Sequence, residues 1–226
     1  MKMSRRDSIR FYATAVAGLS FAAIGPLRPA SLTAQPISDG LSATALPNLP
    51  ALPLRPDGSA IEYAPTGVGA ISGVIWRTKG TPDIEVDYRK MKIKLAANGT
   101  AKLSGTLTFG DLEKLPRRSQ ITLLQCAATD PRGIVKWSGV RFSDFAGLIG
   151  VQPSAAYVRF VGSDAYAVDK DIKTLMHPQV LLAWLLSDRP IPPQHGAPLR
   201  LIIPFRYAAR SLKAITEIQF TATTFP

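Results

Sequence analysis

The chain of 226 residues has one cysteine, Cys126, and two histidines, His177 and His195. A single thiol excludes an intramolecular disulfide, a Cys-x-x-Cys-His haem attachment, a four-cysteine iron–sulfur cluster and a cysteine-rich zinc site. Two imidazoles are too few for most histidine-based metal centres. No Gly-x-Gly-x-x-Gly run opens a helix, no Walker loop occurs and no Gly-x-Ser-x-Gly elbow occurs, so a nicotinamide site, a nucleoside triphosphate site and a serine-hydrolase elbow have no support. There is no helix-turn-helix, zinc-finger or RNA-binding signature and no internal repeat. Acidic residues are scarce, 16 against 27 basic ones, for a net charge of +11. A redox cofactor in such a chain must need very few protein ligands.

What is present divides the chain into three. Residues 1–34 read as a targeting signal: Ser4-Arg5-Arg6-Asp7-Ser8-Ile9-Arg10 precedes an apolar stretch from Phe11 to Gly25, too short for a comfortable membrane span. Paired arginines point to the twin-arginine route, with Leu32-Thr33-Ala34 as a cleavage site. The expectation is export to the periplasm, with no membrane span in the mature chain. Five basic residues and one acid fall in this segment, so the remainder keeps 22 and 15, or +7, a balance that favours anionic ligands. Residues 35–70 carry six prolines (Pro36, Pro47, Pro50, Pro53, Pro56 and Pro65) and read as an extended lead-in, either lying on the domain or waving free. Residues 71–226 suffice for one domain with its own core.

In that domain Ile71–Trp76 reads as a strand. Met91-Lys92-Ile93-Lys94-Leu95 alternates apolar and charged residues, the period-2 mark of a half-buried strand. Asn98-Gly99 is a hairpin turn, after which Lys102–Phe109 returns as a strand. Further strands are expected at Ile121–Cys126, Tyr157–Val161, Ala165–Val168, Leu199–Ile203 and Ile215–Thr221. Short helices are expected at Asp111–Leu115 and Asp144–Ile149. Val180–Leu186 is apolar throughout, and periodicity leaves strand and helix both open. Ser187-Asp188-Arg189-Pro190 turns the chain. Short helices among many short strands predict a mixed, mostly β, single α+β domain.

Three segments together resemble the molybdopterin-binding domain of the sulfite oxidase family, which includes sulfite oxidases and the catalytic subunit of the periplasmic methionine sulfoxide reductase. They are Leu123-Leu124-Gln125-Cys126-Ala127 with the downstream Trp137-Ser138-Gly139-Val140; the run from Ile191 to Pro204, which holds Gln194-His195-Gly196 and Arg200; and Arg206-Tyr207-Ala208-Ala209-Arg210-Ser211-Leu212-Lys213. The resemblance implies a molybdenum-molybdopterin cofactor whose dithiolene supplies most of the sulfur ligands. Cys126 would supply one more, as a soft thiolate on a soft metal. It further implies cofactor contacts from His195, Arg200, Ser211, Leu212, Lys213 and Gly162. Arg200, Lys213 and the Ser211–Lys213 backbone N–H groups would take the pterin phosphate. Arg77 matches the arginine that helps bind an oxyanion, with Thr78 and Lys79 replacing the family's Asn and His. Arg132 is a second candidate for steering substrate.

After Cys126 the chain reads Ala127-Ala128-Thr129-Asp130-Pro131-Arg132 and keeps neither the sulfite oxidase run nor the reductase tryptophan. The implied activity is oxygen-atom transfer on a small sulfur-containing or similar substrate, by sulfite oxidation or sulfoxide reduction. Electrons would pass to or from a separate cytochrome or membrane haem protein. A non-catalytic exported binding module that keeps the fold and has lost the chemistry is the alternative. Nucleic acid is not an expected partner.

Overall fold

The computed structural model describes residues 50–74, 76, 82–128 and 130–225, all within one compact unit spanning 45–226. The signal segment and Arg77 lie outside the described residues. Among the described residues ten strands form: β1 Lys92–Ala96, β2 Gly105–Thr108, β3 Arg117–Gln125, β4 Arg132–Arg141, β5 Tyr157–Gly162, β6 Ala167–Asp171, β7 Leu181–Leu186, β8 Arg189–Pro190, β9 Arg200–Ile202 and β10 Ile215–Thr221. Three short helices accompany them: α1 Phe109–Leu112, α2 Phe142–Ile149 and α3 Ile172–Leu175.

The strands make two five-stranded sheets. One runs β2-β1-β10-β5-β6, in which β1 and β10 pair in parallel and the other pairs are antiparallel. The other runs β3-β4-β7-β8, with β9 added to β7, and is antiparallel throughout. The main core collects Ile93 and Leu95 of β1, Phe142 and Phe145 of α2, Val158 and Phe160 of β5, Leu182 and Trp184 of β7, and Ile218 and Phe220 of β10. A smaller core joins Leu124, Val135, Trp137, Leu181, Ala183 and Ile202.

These two cores explain the apolar run left open above. In β7, Leu182 and Trp184 enter the main core while Leu181 and Ala183 enter the smaller one. A strand buried on both faces loses its alternation, so length and pairing rather than period define it. Ser187 and Asp188 then turn the chain with φ of 48° and 63°, a pair of left-handed residues suited to a tight hairpin.

Several expected boundaries move. Of the expected strand Ile71–Trp76, the described residues 71–74 and Trp76 lie in no strand, and Ser72 alone of them makes a bridge, to Arg132. Lys102–Phe109 is strand only over β2, because the Asp111 carboxylate accepts from the Thr108 N–H at 3.0 Å and hydroxyl at 2.8 Å and starts a helix at Phe109. Strand β4 was not expected, since burial on both sides from Trp137 to Val140 removes its period.

The described part of the lead-in lies on the domain. Tyr63 N–H donates to Ile121 O at 2.9 Å, and Gly69 N–H to Ile134 O at 2.9 Å. Gln125 Nε2 and the Tyr207 hydroxyl both donate to Pro50 O, at 2.8 Å and 3.1 Å.

Candidate active site

Cys126 stands at the end of β3, where its N–H donates to Pro131 O at 2.9 Å and closes a short loop onto the start of β4. The thiol is partly exposed and free, and it lines a cavity of about 230 Å³. Arg200, Ser211, Leu212 and Lys213 line the same cavity, together with Trp76, Asp164 and Tyr166. Residues far apart in sequence thus meet because β4 and β9 flank β7, while the Ala208–Lys213 segment folds back over β9.

Arg200 carries the strongest electrostatic statement. It is 1% exposed, yet among the described residues no carboxylate pairs with it. Its Nη1 donates to His195 O at 2.8 Å and its Nε to Ser211 O at 3.3 Å, and its guanidinium lies 5.0 Å from the Trp137 ring centroid. Carbonyls and an aromatic face hold a cation without neutralising it. Burial pulls Arg200 well below the usual guanidinium range, to about 9, so it remains charged at neutral pH.

Lys213 adds a second cation. Its Nζ donates to Gln194 O at 2.9 Å and sits 4.5 Å from the Trp76 ring centroid. Burial, and then the Arg200 charge, bring it down to about 8 against the opposing pull of Asp164. His195 is lowered by burial first and by Arg200 and Lys213 next, which keeps the imidazole neutral at pH 7. The Trp76 indole N–H is buried and has no acceptor among the described residues. A buried donor of this kind in a cavity wall calls for an acceptor from a ligand.

Two glycines fix Lys213. Gly196 has φ of 104°, and a Cβ there would lie 2.8 Å from Lys213 Cβ and 2.9 Å from its Cα. A Cβ on Gly162 would lie 2.9 Å from Lys213 O. Both positions admit only hydrogen, because the backbone of Lys213 passes against them.

Of the expected site residues, the fold therefore brings Cys126, Arg200, Ser211, Leu212 and Lys213 to one cavity. His195 and Gly162 stand behind it, His195 through its carbonyl on Arg200 and Gly162 through packing on Lys213. Ser211 is engaged internally: its hydroxyl accepts from Ile203 N–H at 3.0 Å and its N–H donates to Ala208 O at 2.9 Å. The expectation that the Ser211 N–H serves a phosphate is corrected by that turn, which already uses the donor. Arg132 is exposed and does not line the cavity. Trp76, Asp164 and Tyr166 were not anticipated. The Ser163-Asp164 turn between β5 and β6 was legible as a loop, but its approach to Lys213 depends on a long-range contact.

Chemically, the cavity offers a soft thiol on one wall, and elsewhere two cations and an indole donor with no acceptor among the described residues. That set suits a ligand carrying both an anionic, acceptor-rich group and a sulfur-loving metal.

Residues 79–226 match the family model described as the oxidoreductase molybdopterin binding domain. An uncharacterized oxidoreductase, YuiH, of Bacillus subtilis is 31% identical over 146 residues, covering 65% of this chain and 74% of that protein. The catalytic subunit MsrP of the protein-methionine-sulfoxide reductase of Campylobacter jejuni is 28% identical over 152 residues, covering 60% of this chain and 51% of that protein. The match therefore spans about half the length of the reductase subunit. The crystal structure of the sulfane dehydrogenase SoxCD from Paracoccus pantotrophus shares the fold, with a TM-score of 0.57 at 18% identity, over 88% of this chain and 60% of that one.

Proposed function

The chain belongs to the oxidoreductase molybdopterin binding domain family, and from that membership we propose that it is an exported enzyme transferring an oxygen atom to or from a small sulfur-containing substrate. It is an oxidoreductase of the sulfite oxidase type, and its cofactor is molybdenum-molybdopterin. The reaction is sulfite oxidation or sulfoxide reduction. The first rests on the likeness of the three sequence segments to sulfite oxidases, and the second on the relative that reduces protein methionine sulfoxide.

The observation that carries the reading is the buried Arg200 guanidinium, uncompensated by any carboxylate among the described residues, in the wall of the cavity that holds Cys126. Burying such a charge costs several kcal/mol unless an anion completes it. The pterin phosphate is such an anion. When bound, the molybdenum centre supplies two-electron oxygen-atom exchange, with water as oxygen source or product.

This chain's residues would then divide the work. Cys126 holds the metal as thiolate. Arg200 binds the phosphate by charge and direct donors, and His195 presents the carbonyl that fixes the Arg200 head. Lys213 adds a second charge, and Gly162 and Gly196 hold its backbone in place. Leu212 walls the cavity and excludes water. Trp76 gives its indole N–H to an acceptor on the cofactor. Arg77, next to Trp76 in sequence, binds the substrate oxyanion.

Electrons pass to or from a separate cytochrome or membrane haem protein. Residues 1–34 direct export to the periplasm by the twin-arginine route. Among the described residues no helix is long and apolar enough to cross a membrane.

The experiment is a turnover assay of the purified exported protein with artificial electron carriers, using sulfite with an acceptor and methionine sulfoxide with a donor. Turnover on at least one is expected, and it should disappear in Cys126→Ser. A cofactor-loaded protein inert toward both substrates would remove the proposed substrate class.

A further inference from the structure

A second cleft, of about 410 Å³, opens where the lead-in crosses the domain, and it shares no lining residue with the cavity of Cys126. Its floor is a satisfied amide network. Gln179 Nε2 donates to Ala60 O at 3.0 Å and Glu62 Oε1 at 3.2 Å, while its Oε1 accepts from Ala60 N–H at 2.9 Å. Gln120 Nε2 donates to Gln179 O at 2.9 Å. Both glutamines are buried, so this floor is rigid and its polar groups are already paired.

The domain wall of the cleft is cationic. Arg118 of β3 stands opposite Gly139 of β4, and Arg141 lies two residues beyond that glycine. Alternation along the strand places Arg118 and Arg141 on the same face, and both line the cleft. Neither guanidinium has an ion-pair partner among the described residues. The cleft's own carboxylates are turned to other donors. Asp57 accepts from the Ser59 N–H and hydroxyl, and Glu62 accepts from Gln179.

His177 supplies a third donor. Its ring packs on Phe205 with centroids 4.5 Å apart, and its Nδ1 accepts from Gln179 N–H at 3.2 Å. In the neutral imidazole the proton then resides on Nε2.

We propose that this cleft is a second binding site, taking a tetrahedral oxyanion, phosphate or sulfate, between Arg118 and Arg141 with His177 Nε2–H as a further donor. The group arrives free or as the ester end of a small molecule. Two unpaired arginines lining one cleft repel each other, and a dianion between them reverses that repulsion. The lead-in closes the far side of the cleft through Asp57 and Ser59, whose hydrogen bonds to each other leave no donor for the ion.

Calorimetric titration of the cofactor-loaded protein with inorganic sulfate, inorganic phosphate and glycerol phosphate tests this. At least one should show a saturable event that depends on Arg118 and Arg141. Arg118→Gln and Arg141→Gln should each weaken it by about tenfold or more, as loss of one charged hydrogen bond implies. Arg117→Gln is the control: it neutralises a neighbouring arginine on the opposite face and should leave binding unchanged. Tighter binding of glycerol phosphate than of the inorganic ions would mark an ester as the occupant, and equal or weaker binding a free ion. Arg118→Lys and Arg141→Lys keep the charge and should retain part of the affinity at an unchanged melting temperature. Absence of saturable binding by all three probes, or equal weakening by Arg117→Gln, overturns the proposal.

Discussion

Arg200 separates charge from stability. A buried cation held only by carbonyls and a tryptophan face lowers the stability of the cofactor-free protein, and removing it should not be costly. Arg200→Met is therefore expected to leave the melting temperature of cofactor-free protein unchanged or raised. The pterin content of the purified variant should fall by at least about tenfold, as loss of a charge-assisted phosphate contact implies. A large drop in melting temperature with pterin content intact would make Arg200 a structural residue instead.

Lys213 gives a pH test. Its value of about 8 in the folded protein lies below the usual 10.5, through burial first and Arg200 second. Between those values the unfolded chain binds more protons than the folded one, so stability rises with pH across the window. The penalty is complete below about 8 and gone above 10.5. Denaturant midpoints of cofactor-free protein should climb through that range, and Lys213→Met should flatten this part of the rise. For cofactor binding the sign reverses, since deprotonation of Lys213 removes a phosphate-binding charge.

At the scale of elements, the sequence was legible where one face of a strand is buried and the other is wet. Ile93 and Leu95 alternate with Lys92 and Lys94, and β1 follows. The alternation of Tyr157–Gly162 and the apolar positions of Ile215–Thr221 likewise mark β5 and β10. Legibility failed where both faces are covered, as in β4 and β7, because no period survives. It failed again for the cavity. Cys126, Arg200 and Lys213 were accessible through family resemblance, whereas Trp76 and Asp164 reach Lys213 through tertiary folding that no local pattern encodes.

The turn at Gly196 joins the two kinds of information. His195-Gly196 was visible as a motif, and the structure supplies its reason, a φ of 104° against the flank of Lys213. Gly196→Ala combines a left-handed penalty with overpacking, and should cost about 2–4 kcal/mol. Chemical denaturation measures the loss, which should be accompanied by lower cofactor retention because Lys213 is displaced. A neutral outcome would mean that the turn and Lys213 move apart without consequence.

At the scale of the whole molecule, the net charge of +11 is partly explained by its distribution. Arg200 is buried and Lys213 half-buried around the cavity of Cys126, and Arg55, Arg118 and Arg141 line the second cleft. The exported state is a claim about the whole chain. Fusing residues 1–34 to a folded reporter should carry it out of the cytoplasm, and replacing Arg5 and Arg6 by Lys should stop it; cytoplasmic retention of the unaltered fusion would refute the assigned route. The proposed chemistry requires Cys126 and Arg200 to serve one cofactor, and metal and pterin analysis of the purified exported protein tests that directly. Near-stoichiometric molybdenum and pterin are predicted, with Cys126→Ser keeping the pterin and losing the metal. A folded chain that contains neither would contradict the account.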